Sequence, residues 1–158
     1  MNKETTASSP DVKSLMAKLD AFFTEYLGKK APAIPENIKE AIVKYGPYLV
    51  VIGLILSIGP IIAFFGISTL VAPVVALSGV RYGAGYYLST LVLLASLVIE
   101  AIAIPGLFGR KKSGWNLMYL SALINAVYAI VNLNVFGLII GTGITMYILF
   151  QIRSYYQN

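Results

Sequence analysis

From Tyr45 to Val80, and again from Ser113 to Ile152, the chain carries no charged side chain, and Glu100 is the single charge between Arg81 and Arg110. An apolar run of 18 or more residues is long enough to cross a hydrocarbon core of about 30 Å as a helix. Within that core a helix satisfies its own backbone N–H and C=O groups, which lipid cannot do for it. Composition agrees: 58% of the residues are hydrophobic and 12% charged, against about half and a quarter in soluble domains. The fold class expected is all-α, a polytopic integral membrane protein.

Four spans are expected, at about 47–65, 85–104, 114–131 and 136–152. Gly59 and Pro60 inside the first predict a bend there, because proline removes one ladder bond. Pro105 and Gly106 close the second, and the polar turn Asn132-Leu133-Asn134 separates the third from the fourth. Residues 67–80, ISTLVAPVVALSGV, are apolar but too short to cross. They continue the bent first helix, lie in the interface, or dip in as a re-entrant segment. In the fourth span Gly137, Gly141 and Thr145 stand at the spacing that lets helices approach closely.

Residues 1–46 form a separate juxtamembrane segment, with 47–158 as the membrane domain. Ser9, Pro10 and Asp11 are a helix start signal and Gly28 a stop, which predicts a helix over about 10–27. Between them Val12, Leu15, Met16, Leu19, Phe22, Phe23 and Tyr26 fall on one apolar stripe. The polar face, with Asp11, Lys13, Lys18, Asp20 and Glu25, is slightly acidic, so attraction to anionic lipid is expected to be weak and a partner helix is as good a target as the membrane surface. After the joint APAIPEN, Ile38, Ala41, Ile42 and Tyr45 share a second apolar face. No cleavable leader precedes the first apolar run, and the first span is expected to serve as its own insertion signal.

Orientation follows from the Lys and Arg count: seven before the first span, Arg81 in the first loop, Arg110, Lys111 and Lys112 in the second, none in the third, Arg153 at the end. By the positive-inside rule the N-terminus, the RKK turn and the C-terminus face the cytoplasm, in a cell (inner) membrane. Tyr45, Tyr48, Tyr82, Tyr86, Tyr87, Trp115, Tyr119, Tyr155 and Tyr156 cluster near span ends, where an aromatic belt is expected.

The chain has no His and no Cys, which removes His-ligated haem, thiolate metal sites, Ser-His and Cys-His nucleophile pairs and disulfides. No cofactor, no metal site and no enzymatic activity are expected. The net charge of +5 lies in scattered turns without a basic, aromatic-lined groove, so no nucleic acid is expected either.

That leaves Glu100. The ten Leu, Ile and Val residues from Leu88 to Ile104 favour insertion by roughly 3 to 6 kcal/mol, against about 2.5 to 3.5 kcal/mol for a central acid. Arg81, on the same helix, is about 28 Å away at 1.5 Å per residue, so any partner comes from another helix or the RKK turn. At the depth of Glu100 the other spans place Gly53 to Ser57, Ser121 and Thr145 to Tyr147, a polar layer. Ser89, Ser96 and Glu100 share one stripe, and Ser121, Asn125, Tyr128 and Asn132 another. As interhelical glue each such hydrogen bond contributes about 0.6 kcal/mol; as a functional site, Glu100 with Ser96, Ser121, Asn125, Tyr128 and Tyr147 would handle a proton or cation.

In span count and in having a membrane acid the chain resembles the small multidrug resistance transporters, but those carry the acid in their first span and lack the N-terminal amphipathic segment. PENIKEAIVKYGP, IPGLFGRKKSGWNLMY and ILFQIRSYY resemble small four-span membrane proteins of reduced-genome candidate-phyla bacteria. That resemblance covers about residues 33–157 and implies no activity or site residue.

Two functions are therefore expected. The first is a non-enzymatic membrane scaffold or accessory protein that forms homo-oligomers or binds a membrane or cytoplasmic protein partner through the amphipathic helix and small-residue faces. The alternative is a small ion channel or proton-coupled transporter using Glu100. In both, the lipid bilayer is the constant partner.

Overall fold

The computed structural model of the chain describes residues 12–77 and 80–157, and every regular element among them is helical. Helix α1 (Val12–Phe23) continues as a π-helical segment, Thr24–Lys30. After the proline joint come α2 (Glu36–Leu77), α3 (Val80–Phe108) and α4 (Lys112–Val131). A second π-helical segment, Gly137–Gly143, leads into α5 (Ile144–Gln151) and a closing 3-10 turn, Arg153–Tyr155. The start signal Ser9-Pro10-Asp11 lies outside the described residues, as does the Val12 side chain.

Three helices are long and apolar enough to cross a membrane: Glu36–Ala63 of α2, Leu88–Phe108 of α3, and Lys112–Val131, which is α4. The fourth apolar stretch is the shorter helix Gly137–Gln151, about 22 Å at 1.5 Å per residue against about 30 Å of hydrocarbon.

Several boundaries differ from the sequence expectation. The juxtamembrane face, the first span and residues 66–77 are one helix of 42 residues, with no break near residue 46. Pro47, Pro60 and Pro73 each remove a single N–H, and they are far enough apart for the ladder to continue between them. Helix α3 likewise passes through Pro105, whose carbonyl still accepts the Gly109 N–H at 3.0 Å. What stops it is Arg110, at a positive φ of 50°. Lys111 N–H reaches Gly106 O at 2.7 Å and Arg110 N–H reaches Leu107 O at 3.1 Å, the paired bonds of a Schellman cap. The α4 terminus repeats this with Leu133 at φ 53°, Asn134 N–H to Ala129 O at 2.8 Å and Leu133 N–H to Ile130 O at 3.0 Å. Gly28 does not end the first helix; the helical run closes at Ala31, extended at φ −67°, ψ 153°, as the residue before Pro32 must be.

The α3–α4 hairpin has its closest approach beside the RKK turn. A Cβ built on Gly114 would lie 2.5 Å from Gly106 C and Leu107 N, and one on Gly106 would lie 2.7 Å from Gly114 Cα. Nothing larger than hydrogen fits at either position.

The packed core sits at this same end: Val43 from α2, Ala103 and Leu107 from α3, Trp115, Tyr119 and Ala122 from α4, Met146, Leu149 and Phe150 from α5. Trp115 donates its indole N–H to Leu149 O at 2.8 Å, lies stacked on Tyr119 and meets Phe150 edge-on, with ring centroids 5.3 Å apart in both cases. Trp115, Tyr119 and Tyr156 are therefore core residues and not belt residues, whereas Tyr45 and Tyr48 are exposed. Among its described side chains, α2 presents apolar ones outward, Leu49, Ile52, Ile55, Leu56 and Ile62 among them, the surface a lipid-facing helix needs.

Candidate functional site

Antiparallel pairing of α3 and α4 brings two polar stripes together as a row of rungs. The hydroxyls of Ser89 and Tyr128 share a hydrogen bond. One level nearer the RKK turn, Asn125 Nδ2 donates to Ser96 Oγ at 3.1 Å and to the Ser121 carbonyl at 2.9 Å. Next, Ser121 Oγ donates to Glu100 Oε1 at 3.0 Å. Steps of seven and four residues along α3 oppose steps of three and four along α4, so each rung lies on the shared face. Ser96 and Ser121 are buried, where an unpaired hydroxyl would be costly; each has its partner here.

Glu100 is half-buried, and among the described residues Ser121 is its one hydrogen-bond partner. Its carboxylate borders a cavity of about 300 Å³ between α3, α4 and the fourth helix, partly open on one side, with Ser121, Asn125, Tyr128, Thr142 and Thr145 also in its wall. Gly137 and Gly141 border the same space, and the stretch between them is π-helical, a geometry that often marks functional positions in helices. A carboxylate facing hydroxyl and amide oxygens in such a space can exchange a proton or share a cation with them.

Not every candidate residue gathers there. The Tyr147 hydroxyl turns away and donates to Pro32 O in the proline joint. Gly141 has open space where a Cβ would lie, and Thr145 donates back to Gly141 O at 2.8 Å. Gly137 is crowded by the Asn134 side chain, whose Oδ1 accepts its N–H at 2.8 Å. It thus sits in the first turn of the fourth helix, where the nearest atoms to its missing Cβ are those of Asn134.

A second group of residues, not singled out in the sequence, fastens the N-terminal segment to the C-terminal end. Arg153 pairs with Asp20 Oδ2 at 3.0 Å and donates to Thr24 Oγ1 at 2.7 Å while its guanidinium lies 4.8 Å over the Trp115 ring. Gln151, buried, donates to Leu27 O at 2.8 Å and accepts from Ile34 N–H at 3.3 Å. Phe23 packs on Phe150, their ring centroids 5.8 Å apart. The Tyr155 hydroxyl donates to Glu36 at the start of α2, and this bond to a carboxylate pushes the phenol up to about 12.

This clamp uses Asp20, Phe23, Thr24 and Leu27, so the stripe read from the sequence is divided. Phe23 faces inward and Met16 is half-buried, while Leu15, Leu19, Phe22 and Tyr26 stand exposed. The available signal was Arg153 itself, the only charge after Lys112, which sequence reasoning assigned to orientation alone.

Comparison with protein-family models, curated proteins and solved structures finds no match to this chain.

Proposed function

We propose that the chain is a non-enzymatic membrane scaffold or accessory protein with four spans and both termini on the cytoplasmic side. It self-associates or binds a protein partner through α1 and its small-residue faces. The observation that carries this reading is the exposed stripe of Leu15, Leu19, Phe22 and Tyr26 on a helix held in place by the Arg153 and Gln151 bonds. A fixed helix with a free apolar face is suited to helix-in-groove recognition. Gly46, Gly53 and Gly141 have open space above them, which leaves small-residue surfaces on α2 and the fourth helix for close approach. Crosslinking of the full-length protein in native-like bilayers is expected to give oligomers or a captured partner, with at least a several-fold loss in a Leu15→Ser, Leu19→Ser, Phe22→Ser variant. Monomers alone, with and without these substitutions, contradict the proposal.

The cavity at Glu100 favours a second reading, a small channel or proton-coupled transporter. Glu100 and six polar neighbours, Ser121, Asn125, Tyr128, Asn134, Thr142 and Thr145, line one space, and an intramembrane acid is more often functional than decorative. In proteoliposomes the proton or monovalent-cation flux is expected to fall by about tenfold or more in Glu100→Gln, which keeps the Ser121 donor satisfied by an amide oxygen. Absence of flux in the parent protein, or flux unchanged by the substitution, removes this reading.

A further inference from the structure

At the RKK end, beside the clamp, a cavity of about 510 Å³ lies between the π-helical segment Thr24–Lys30, the first turns of α2 and α4, and the C-terminal turn. Four cations line it, Lys29, Lys39, Lys112 and Arg153, and none of its lining residues is acidic. We propose that this cavity binds a phosphate-bearing anion, either the headgroup of an acidic phospholipid or a soluble phosphate ester.

The charge arrangement carries the argument. Two acids of the N-terminal segment are already engaged, Asp20 by Arg153 at 3.0 Å and Glu25 by Lys30 at 2.7 Å. Lys29 and Lys112 have no ion-pair partner among the described residues. The Lys39 side chain, in the cavity wall, is 14% exposed and is tied to Glu36 at 2.9 Å, an acid 73% exposed to solvent. Arg153 has used two of its five N–H donors, on Thr24 and Asp20. Lys112 is also the first residue of α4, whose N-terminus has no side-chain cap and so adds positive potential to the site. Ser154 and Tyr156 also line the cavity, and their hydroxyls are the neutral donors on offer to phosphate oxygens, the Thr24 proton being spent on Asp20 O at 2.7 Å.

Position fits the same ligand class. The cavity lies at the end of the bundle that holds Arg110, Lys111 and Lys112, and basic pockets at the headgroup level of membrane helices are suited to anionic headgroups. Its volume is within the range of small-ligand sites. This inference is independent of the Glu100 cavity and of α1-mediated association.

Trp115 is the only tryptophan in the chain and lies under the Arg153 guanidinium, which makes its emission a built-in reporter. The full-length protein in phosphatidylcholine nanodiscs is titrated in two arms: inorganic phosphate and glycerol 3-phosphate in the buffer, and phosphatidic acid or phosphatidylglycerol in the bilayer. A saturable change in at least one arm is expected. Its half-point should rise about tenfold or more in Lys29→Gln/Lys112→Gln, and by less than about twofold in the charge-matched control Lys18→Gln/Lys44→Gln. Response in the lipid arm alone assigns the site to headgroups, and response in the soluble arm assigns it to phosphate esters. No saturable response in either arm overturns the proposal. So does equal weakening by the two double variants, which would mean diffuse attraction to the whole basic surface. Helical content and thermal stability matched to the parent show that Lys29→Gln/Lys112→Gln still folds.

Discussion

Gly114→Ala is expected to destabilise the protein by about 3 kcal/mol, the upper part of the range for overpacking a tight contact, because its methyl would sit 2.5 Å from two backbone atoms of the preceding helix. Backbone cannot rotate away as a side chain does, so α3 and α4 must separate. Their separation misaligns the polar rungs above, and Ser121 and Glu100 lose the register that joins them. The same substitution at Gly53 is expected to have the opposite sign. Nothing lies within 4 Å of its missing Cβ, and alanine is favoured over glycine inside a helix by up to about 1 kcal/mol. Reversible unfolding in mixed micelles, run on the two variants side by side, reads both. Equal effects at the two positions would remove the Gly106–Gly114 contact from the account.

Trp115→Ala is expected to cost about 3 to 5 kcal/mol, the range for deleting a large buried aromatic side chain. The indole is 2% exposed and bonds Leu149 O, and it is covered by Tyr119, Phe150 and Arg153. Trp115→Phe keeps much of the ring packing but leaves Leu149 O without its donor, for a smaller loss of about 1 to 3 kcal/mol. Because Arg153 rests on the ring, the alanine variant should also loosen the N-terminal segment. Limited proteolysis within residues 24–35 is then expected to be several-fold faster than in the parent. Unchanged proteolysis with lowered stability would separate the core from the clamp.

The all-helical class, with helices long and apolar enough to cross a membrane, was legible from the uncharged runs alone, since apolar runs of 18 or more residues read as spans. The stripes were legible too, because spacing alone places Ser96 with Glu100 and Ser121 with Asn125. Which stripes meet was not, since that depends on helix rotation, and rotation is set by where two backbones touch. The pair that does this, Gly106 and Gly114, flanks the RKK turn, and sequence reasoning read Gly106 only as a stop. Pro105 was over-read as a boundary, because it removes one bond from a ladder that has many. Aromatic residues at span ends were over-read as belt for a similar reason: a ring near an interface turns outward or inward according to what packs there. The clamp was the least legible feature. Asp20 and Arg153 are 133 residues apart in the chain, and a single acid on an amphipathic helix reads as solvated until its partner is placed.

The proposed crossing pattern is tested most directly by reagent accessibility, which this chain suits because it contains no cysteine. Single cysteines are placed at Lys111 in the basic turn, at Ser154 after α5 and at Val135 at the start of the fourth helix. Val135 is exposed, as is Lys111. With a membrane-impermeant maleimide on sealed, oriented vesicles, K111C and S154C are expected to react from one side and V135C from the other. Labelling of V135C from the same side as K111C, or from neither side, contradicts the four-span account.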